Sequence, residues 1–223
     1  MRRISTLAII AAVAQITADA QVTRQKVSPS EPRFEFGGGG GGSFYQSKTL
    51  TSAAGSADAG FDTGFAGAVW LGQNMYPKIG GELRYEYAKN DLHLKGGGTT
   101  VNFSGYTHAI HYDILYHATP TGSKVRPYVF AGGGLKMFAG TGKETAFQGF
   151  NRIAVLSNTT EYGTLLSVGG GIKFAISKRV QLRAEFRDNI TPFPSKVITP
   201  VNGAKGNGWV QNFLPLFGIT YLF

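Results

Sequence analysis

Apolar and polar side chains alternate with a period of two along this chain, and the pattern recurs in eight separate segments. Successive side chains of a β-strand point to opposite faces, so each segment has one apolar and one polar face. The clearest is 180–187. Val180, Leu182, Ala184 and Phe186 share one face, and Gln181, Arg183, Glu185 and Arg187 the other. Residues 78–87 repeat it: Ile79, Gly81, Leu83, Tyr85 and Tyr87 alternate with Gly80, Glu82, Arg84 and Glu86. Weaker alternation predicts further strands over 33–45, 61–71, 104–117, 125–138, 164–177 and 209–223. The apolar sides of these strands include Phe65, Val69 and Leu71, then Ile110, Tyr112 and Ile114, and later Leu166, Ile172 and Phe174. Helices do not fit, because glycine, at 32 residues, is frequent and no long apolar face recurs every 3.6 residues.

The connections alternate between short (72–77, 118–124, 177–179) and long (47–60, 89–103, 139–163, 189–208). Such asymmetry fits an antiparallel barrel crossing a bilayer, with tight turns at one end and larger loops at the other. The strands reach the roughly 9–11 residues that a tilted strand needs to cross. Hydrocarbon also demands closure, since an unpaired backbone N–H or C=O is costly there. The expected fold is therefore all-β, an eight-stranded antiparallel transmembrane up-and-down β-barrel. Aromatic residues near the expected strand ends suit interfacial belts: Phe34, Phe44, Tyr76, Tyr87, Tyr106, Tyr116, Phe138, Phe186, Trp209 and Phe223. Glycine runs at 37–42, 132–134 and 169–171 fall inside strands, where they relieve crowding on a narrow inner face.

The first residues read as an export leader. Met1-Arg2-Arg3 is basic, an apolar run extends from Ile4 to Thr17, and Ala18-Asp19-Ala20 has the small-x-small form of a cleavage site. The expected organisation is a signal peptide over 1–20, a polar, proline-containing periplasmic lead-in over 21–32 and a barrel domain over 33–223. With no cysteine in the chain, neither a lipid-modified N-terminal cysteine nor a disulfide is expected. The formal net charge is +9, and +8 once Arg2, Arg3 and Asp19 are removed. The basic residues are spread over strands and loops without forming a stripe, and the chain is exported, so nucleic acid is not an expected partner.

The polar faces carry the candidate site. Glu35, Asp62, Glu82, Glu86, Asp113 and Glu185 are expected inward acids; Arg84, Arg126, Lys136, Lys173, Arg183 and Arg187 are expected inward bases. Charges facing hydrocarbon are costly, whereas charges in a narrow lumen can pair. The expected result is a side-chain-filled, salt-bridged interior. His108 and His111 fall on opposite faces; His111, Asp113 and His117 share one, but spread over about 13–20 Å. No metal site, cofactor, nucleophile elbow or phosphate loop is expected, and Gly37–Gly42 lacks the Lys-Ser/Thr of a nucleotide-binding loop.

The final alternation, Phe217, Ile219, Tyr221 and Phe223, ends on phenylalanine. With the leader, strand count and loop pattern, it resembles the small outer-membrane barrels of the OmpA/OmpX type over nearly the whole mature chain. The resemblance implies a Gram-negative outer-membrane location, contact with outer-membrane lipid and lipopolysaccharide, and recognition of these last residues by the outer-membrane assembly machinery. It also implies a monomer with a structural or surface-interaction role and an unidentified surface ligand. Larger proteins of the group often carry a peptidoglycan-binding domain after the barrel, and none is expected here. The alternative functions are a narrow ion or small-solute pore, or a lipid-modifying outer-membrane enzyme. The opposite face of the last strand, with Leu216 and Leu222 beside Gly218 and Thr220, is less polar than a lumen face should be. Deleting Tyr221–Phe223 should leave export and leader cleavage intact but block folding into the outer membrane. Cell fractionation with a heat-shift gel checks this, and normal folded yield refutes it.

Overall fold

The computed structural model describes residues 32–145, 147–206 and 208–223. The expected leader and all of the lead-in except Pro32 lie outside the described residues. Fourteen strands follow in chain order: β1 Phe34–Tyr45, β2 Lys48–Ser52, β3 Gly55–Phe61, β4 Gly64–Asn74, β5 Ile79–Lys89, β6 Leu92–Gly96, β7 Thr99–Phe103, β8 Gly105–His117, β9 Val125–Gly140, β10 Ala154–Leu156, β11 Thr160–Ala175, β12 Val180–Pro192, β13 Ile198–Pro200 and β14 Trp209–Leu222. The eight long strands close into a barrel in the order β1-β14-β12-β11-β9-β8-β5-β4. Every neighbouring pair is antiparallel, and β1 is hydrogen-bonded to β14 on one side and β4 on the other. The fold is the expected eight-stranded barrel.

Alternation sorts the side chains as a bilayer requires. Phe217 is 70% exposed and Ile114 58%, whereas Glu82 and Asp113 are wholly buried. The apolar side chains thus face outward and the charged ones inward. Inward glycines make room for large lumen side chains. A Cβ on Gly37 or Gly218 would lie 2.5 Å from the Trp70 indole, which occupies that space between β1, β4 and β14.

The long outer connections are more built than the sequence suggests. Strands β2, β3, β6 and β7 form a four-stranded sheet in that order, and β10 pairs with β13. The turn from β6 to β7 is two residues long, Gly97 and Gly98, with φ of 53° and 77°. Two successive left-handed residues are what a tight hairpin of this kind needs, and glycine supplies them without strain. Leu50, Phe61, Leu92, Leu94 and Phe103 on one side meet Ile153, Leu156, Val197 and Ile198 on the other, and all are buried. All four outer connections therefore share one apolar core, a cap stacked on the barrel end. Gln148 ties the third loop to it, donating to the Leu156 carbonyl and accepting from the Leu156 N–H, both at 2.9 Å.

The cap corrects several expectations. Phe61 belongs to β3, and the barrel strand expected from 61 begins at Gly64. The strand expected to end at Arg187 continues to Pro192, and the one expected from 164 starts at Thr160. Asp62 does not face the lumen. The chain leaves β3 at Phe61, and the Asp62 carboxylate pairs with Lys95 at 2.8 Å and His93 at 2.9 Å. Burial and Lys95 hold the His93 imidazole below its ordinary range against the pull of Asp62. Phe138 is not in an interfacial belt. It shares the inward parity of Lys136 and is buried in the cap core, 5.6 Å from the Phe61 ring. Because the cap has its own core, Leu94→Ala should weaken it by about 2–5 kcal/mol while the barrel stays folded. Limited proteolysis should then cut the outer connections faster, with an unchanged heat shift on gels; equal cleavage rates refute an independently packed cap.

Candidate functional site

The polar faces of β5 and β12 place acids and bases in opposite order. Strand β5 presents Glu82, Arg84 and Glu86; strand β12 presents Arg183, Glu185 and Arg187. In the closed order these two strands lie four positions apart, directly across the lumen. Each acid therefore meets a base. Glu82 Oε2 lies 2.5 Å from Arg183 Nη1, Arg84 Nη2 3.1 Å from Glu185 Oε1, and Arg187 Nε 3.3 Å from Glu86 Oε1. Bonds along each strand complete the ladder, with Arg84 donating to Glu82 at 2.8 Å and Arg183 to Glu185 at 2.5 Å.

The surrounding wall holds this ladder in place. Tyr128 accepts from Arg183 Nε at 2.6 Å and donates to Glu185 at 2.7 Å. The guanidinium carbons of Arg84 and Arg183 lie 4.9 and 4.7 Å from the Trp70 ring centroid, close enough for cation–π attraction. Arg187 packs 4.0 Å from the Phe130 ring centroid, donates to Asp113 at 2.7 Å and also donates to Ser167. His111 joins through Asp113 at 3.0 Å and Glu86 at 3.4 Å. The space among Trp70, Arg84, Arg183, Glu185 and Leu216 has no room for a water molecule. Desolvation of this kind makes a complete network essential, since a charge left alone costs several kcal/mol.

Two further layers flank the ladder. Toward the periplasmic end, Lys173 pairs with Glu35 at 2.5 Å, and Arg126 donates to Asn74 at 3.2 Å. The ring of His117 packs on Tyr128 with centroids 5.6 Å apart. Toward the cap, Lys136 donates to Asn212 at 2.7 Å and lies 4.9 Å from the Tyr45 ring centroid. Asn212 donates to Ser43, which donates to Asn90. This uncharged layer of Ser43, Asn90 and Asn212 is absent from the sequence reading. Inward parity applied to uncharged polar residues, and not to charges alone, would have found Ser43 and Asn212. Glu35, Glu82, Arg84, Glu86, Asp113, Arg126, Lys136, Lys173, Arg183, Glu185 and Arg187 all lie buried on the inner side. Among them Lys136 stands apart from the ion-pair ladder and is held by Asn212 and aromatic rings instead.

The histidines separate as their spacing demands. His108 faces outward and meets the Tyr85 hydroxyl at 2.6 Å, while His111 faces inward. Among the described residues no group of three or more His, Cys, Asp or Glu is placed to hold a metal ion. Phe217, Ile219, Tyr221 and Phe223 form the exposed, lipid-facing side of β14 and its end. Leu216 packs instead with Trp70, Ala68 and Leu214 on the inner wall.

A closed barrel with an apolar exterior, a charged interior and four large loops at one end defines an integral outer-membrane protein. The model of the outer membrane protein beta-barrel domain family matches residues 5–213, and the chain belongs to that family. It resides in the outer membrane of a Gram-negative bacterium. Among solved structures it is similar to Neisserial surface protein A, with 19% identity and a TM-score of 0.54 over 85% of this chain and 97% of that one. It is also similar to the outer membrane protein OprG from Pseudomonas aeruginosa, with 14% identity and a TM-score of 0.53 over 86% and 97%. At these identities the likeness extends to the fold alone. No curated protein sequence matches the chain.

Replacing Arg183 with Leu leaves Glu82 and Glu185 short of a partner and should lower unfolding stability by about 3–5 kcal/mol. Replacing Glu82 with Gln in the same chain should recover part of that loss, because the two changes are coupled. Urea unfolding of the refolded protein checks both; an unchanged midpoint in the single variant refutes the ladder.

Proposed function

We propose that this protein is a non-enzymatic outer-membrane barrel whose lumen is filled by its own side chains and whose surface role belongs to the cap. The ion-pair ladder from Glu82, Arg84 and Glu86 on β5 to Arg183, Glu185 and Arg187 on β12 carries this reading. It crosses the full width of the lumen, so an ion would have to displace buried charges from one another. The packed cap lies over the same end and supports the reading further. The barrel acts as a rigid, monomeric pedestal that seats in lipid and lipopolysaccharide and holds the cap outside the cell. The ligand of the cap is a surface partner, with the outer connections as the contact region. We assign Phe217, Ile219, Tyr221 and Phe223 as the signal to the assembly machinery, because β14 must pair with β1 before the barrel can close.

Purified protein in planar bilayers should give no sustained unitary conductance. Uniform, long-lived openings from the monomer would replace this reading with the pore. Hydrolysis of lipid A or phospholipid that disappears on replacing His108 or His111 would replace it with an enzyme.

A further inference from the structure

The two ends of the barrel differ in the sign of their exposed charges. On the cap side both signs occur and meet: Lys89 pairs with Asp91 at 3.0 Å and Lys95 with Asp62 at 2.8 Å. At the periplasmic end, by contrast, the exposed charged side chains among the described residues are Arg33, Lys78, Lys124, Lys178 and Arg179. They are distributed around the whole circumference. Arg33 precedes β1, Lys78 lies in the turn between β4 and β5, Lys124 in the turn between β8 and β9, and Lys178 and Arg179 in the turn between β11 and β12. Among the described residues no Asp or Glu side chain is exposed at this end, since Glu35 points inward and is taken by Lys173. Nor does any of the five form an ion pair among the described residues.

Two of the five lean toward lipid. Lys124 Nζ lies 5.6 Å from the ring centroid of Phe174, and Arg179 Nη1 donates to the Tyr221 hydroxyl at 3.3 Å. Phe174 and Tyr221 are on the outer wall, 42% and 45% exposed. An aromatic at the membrane boundary sits at headgroup depth, so a cation resting on it is held at that depth too. Five like charges with no exposed Asp or Glu side chain beside them among the described residues repel one another, and a layer of phosphates beside them relieves that repulsion.

We infer that this basic rim binds anionic phospholipid headgroups in the periplasmic leaflet of the outer membrane, its cations contacting their phosphates from each periplasmic turn. The barrel would thereby gather a collar of anionic lipid at one end only, with its depth and tilt set partly by charge.

The test uses the whole mature protein in nanodiscs of phosphatidylethanolamine with a minority of phosphatidylglycerol, read by native mass spectrometry of the lipids retained on release. The wild type should retain phosphatidylglycerol above its share of the disc. Joint replacement of Lys78, Lys124, Lys178 and Arg179 by Gln should cut that enrichment by about fivefold or more, the scale of losing even one cation at an anionic surface. A control with Lys48, Lys196 and Lys205 of the cap replaced by Gln should keep it. A heat-shift gel confirms that each variant is folded. If the rim variant does not fold, the wild type alone decides the question: its enrichment should fall as salt is raised. Equal enrichment in wild type and folded rim variant overturns the inference, as does enrichment insensitive to salt. Loss of enrichment in the cap variant alone also overturns it. So does a wild type that shows no lipid preference but binds soluble acidic peptidoglycan fragments through the rim.

Discussion

Pairing of the backbone at the β1–β14 seam is the condition on which everything else in this protein rests. Within hydrocarbon a backbone N–H has no water to turn to, and a sheet of eight strands would present two bare edges. Bringing the first and last barrel strands together removes both, from Glu35 opposite Leu222 to Tyr45 opposite Asn212. Closure with eight strands fixes a lumen about as wide as its side chains can fill. Inward and outward faces follow from the pleat, so each barrel residue is committed either to lipid or to its fellows across the interior.

The narrow interior then sets its own terms. The diameter from β5 to β12 is taken by guanidinium and carboxylate groups, which pair both along each strand and across from the opposite wall. One of the two arcs on either side of it, β4, β1 and β14, carries Ala66, Ala68, Trp70, Leu214 and Leu216 with glycines beside them. The apolar inner residues of β14 are the packing surface for Trp70, and Trp70 in turn is the platform for Arg84 and Arg183. Charge and apolar bulk thus brace one another within one small space, Phe130 serving Arg187 as Trp70 serves Arg84 and Arg183.

Above the barrel a second solution appears, made for water and not for lipid. The outer connections are long enough to form strands of their own, and their apolar residues find one another over the barrel mouth. The layer of Ser43, Asn90, Asn212 and Lys136 lies between the ion-pair ladder and this core, grading charge into neutral polarity and then into apolar packing. Among the described residues the periplasmic end has only short turns and no comparable cover. Its exposed side chains meet lipid headgroups and solvent directly.

By itself the sequence determined the class of fold and the alternation that gives each barrel strand two distinct faces. These follow from a period of two, which is local and needs no knowledge of neighbours. Strand ends were less legible. The outer parts of β9, β11 and β12 run on into the cap, where alternation still holds but no longer separates lipid from lumen. For that reason Phe138 read as a belt residue, and Asp62 read as an inward acid because the expected second barrel strand begins at 61, ahead of Gly64; both belong to the cap. Only the tertiary structure decided which inward acid meets which base. Glu82 and Arg183 are 101 residues apart and on strands that are not neighbours in the sheet, and closure alone puts them face to face. Likewise only the tertiary structure made one core of four separate loops, because Leu50, Leu94, Leu156 and Ile198 carry no signal of one another until the barrel brings their loops to the same end.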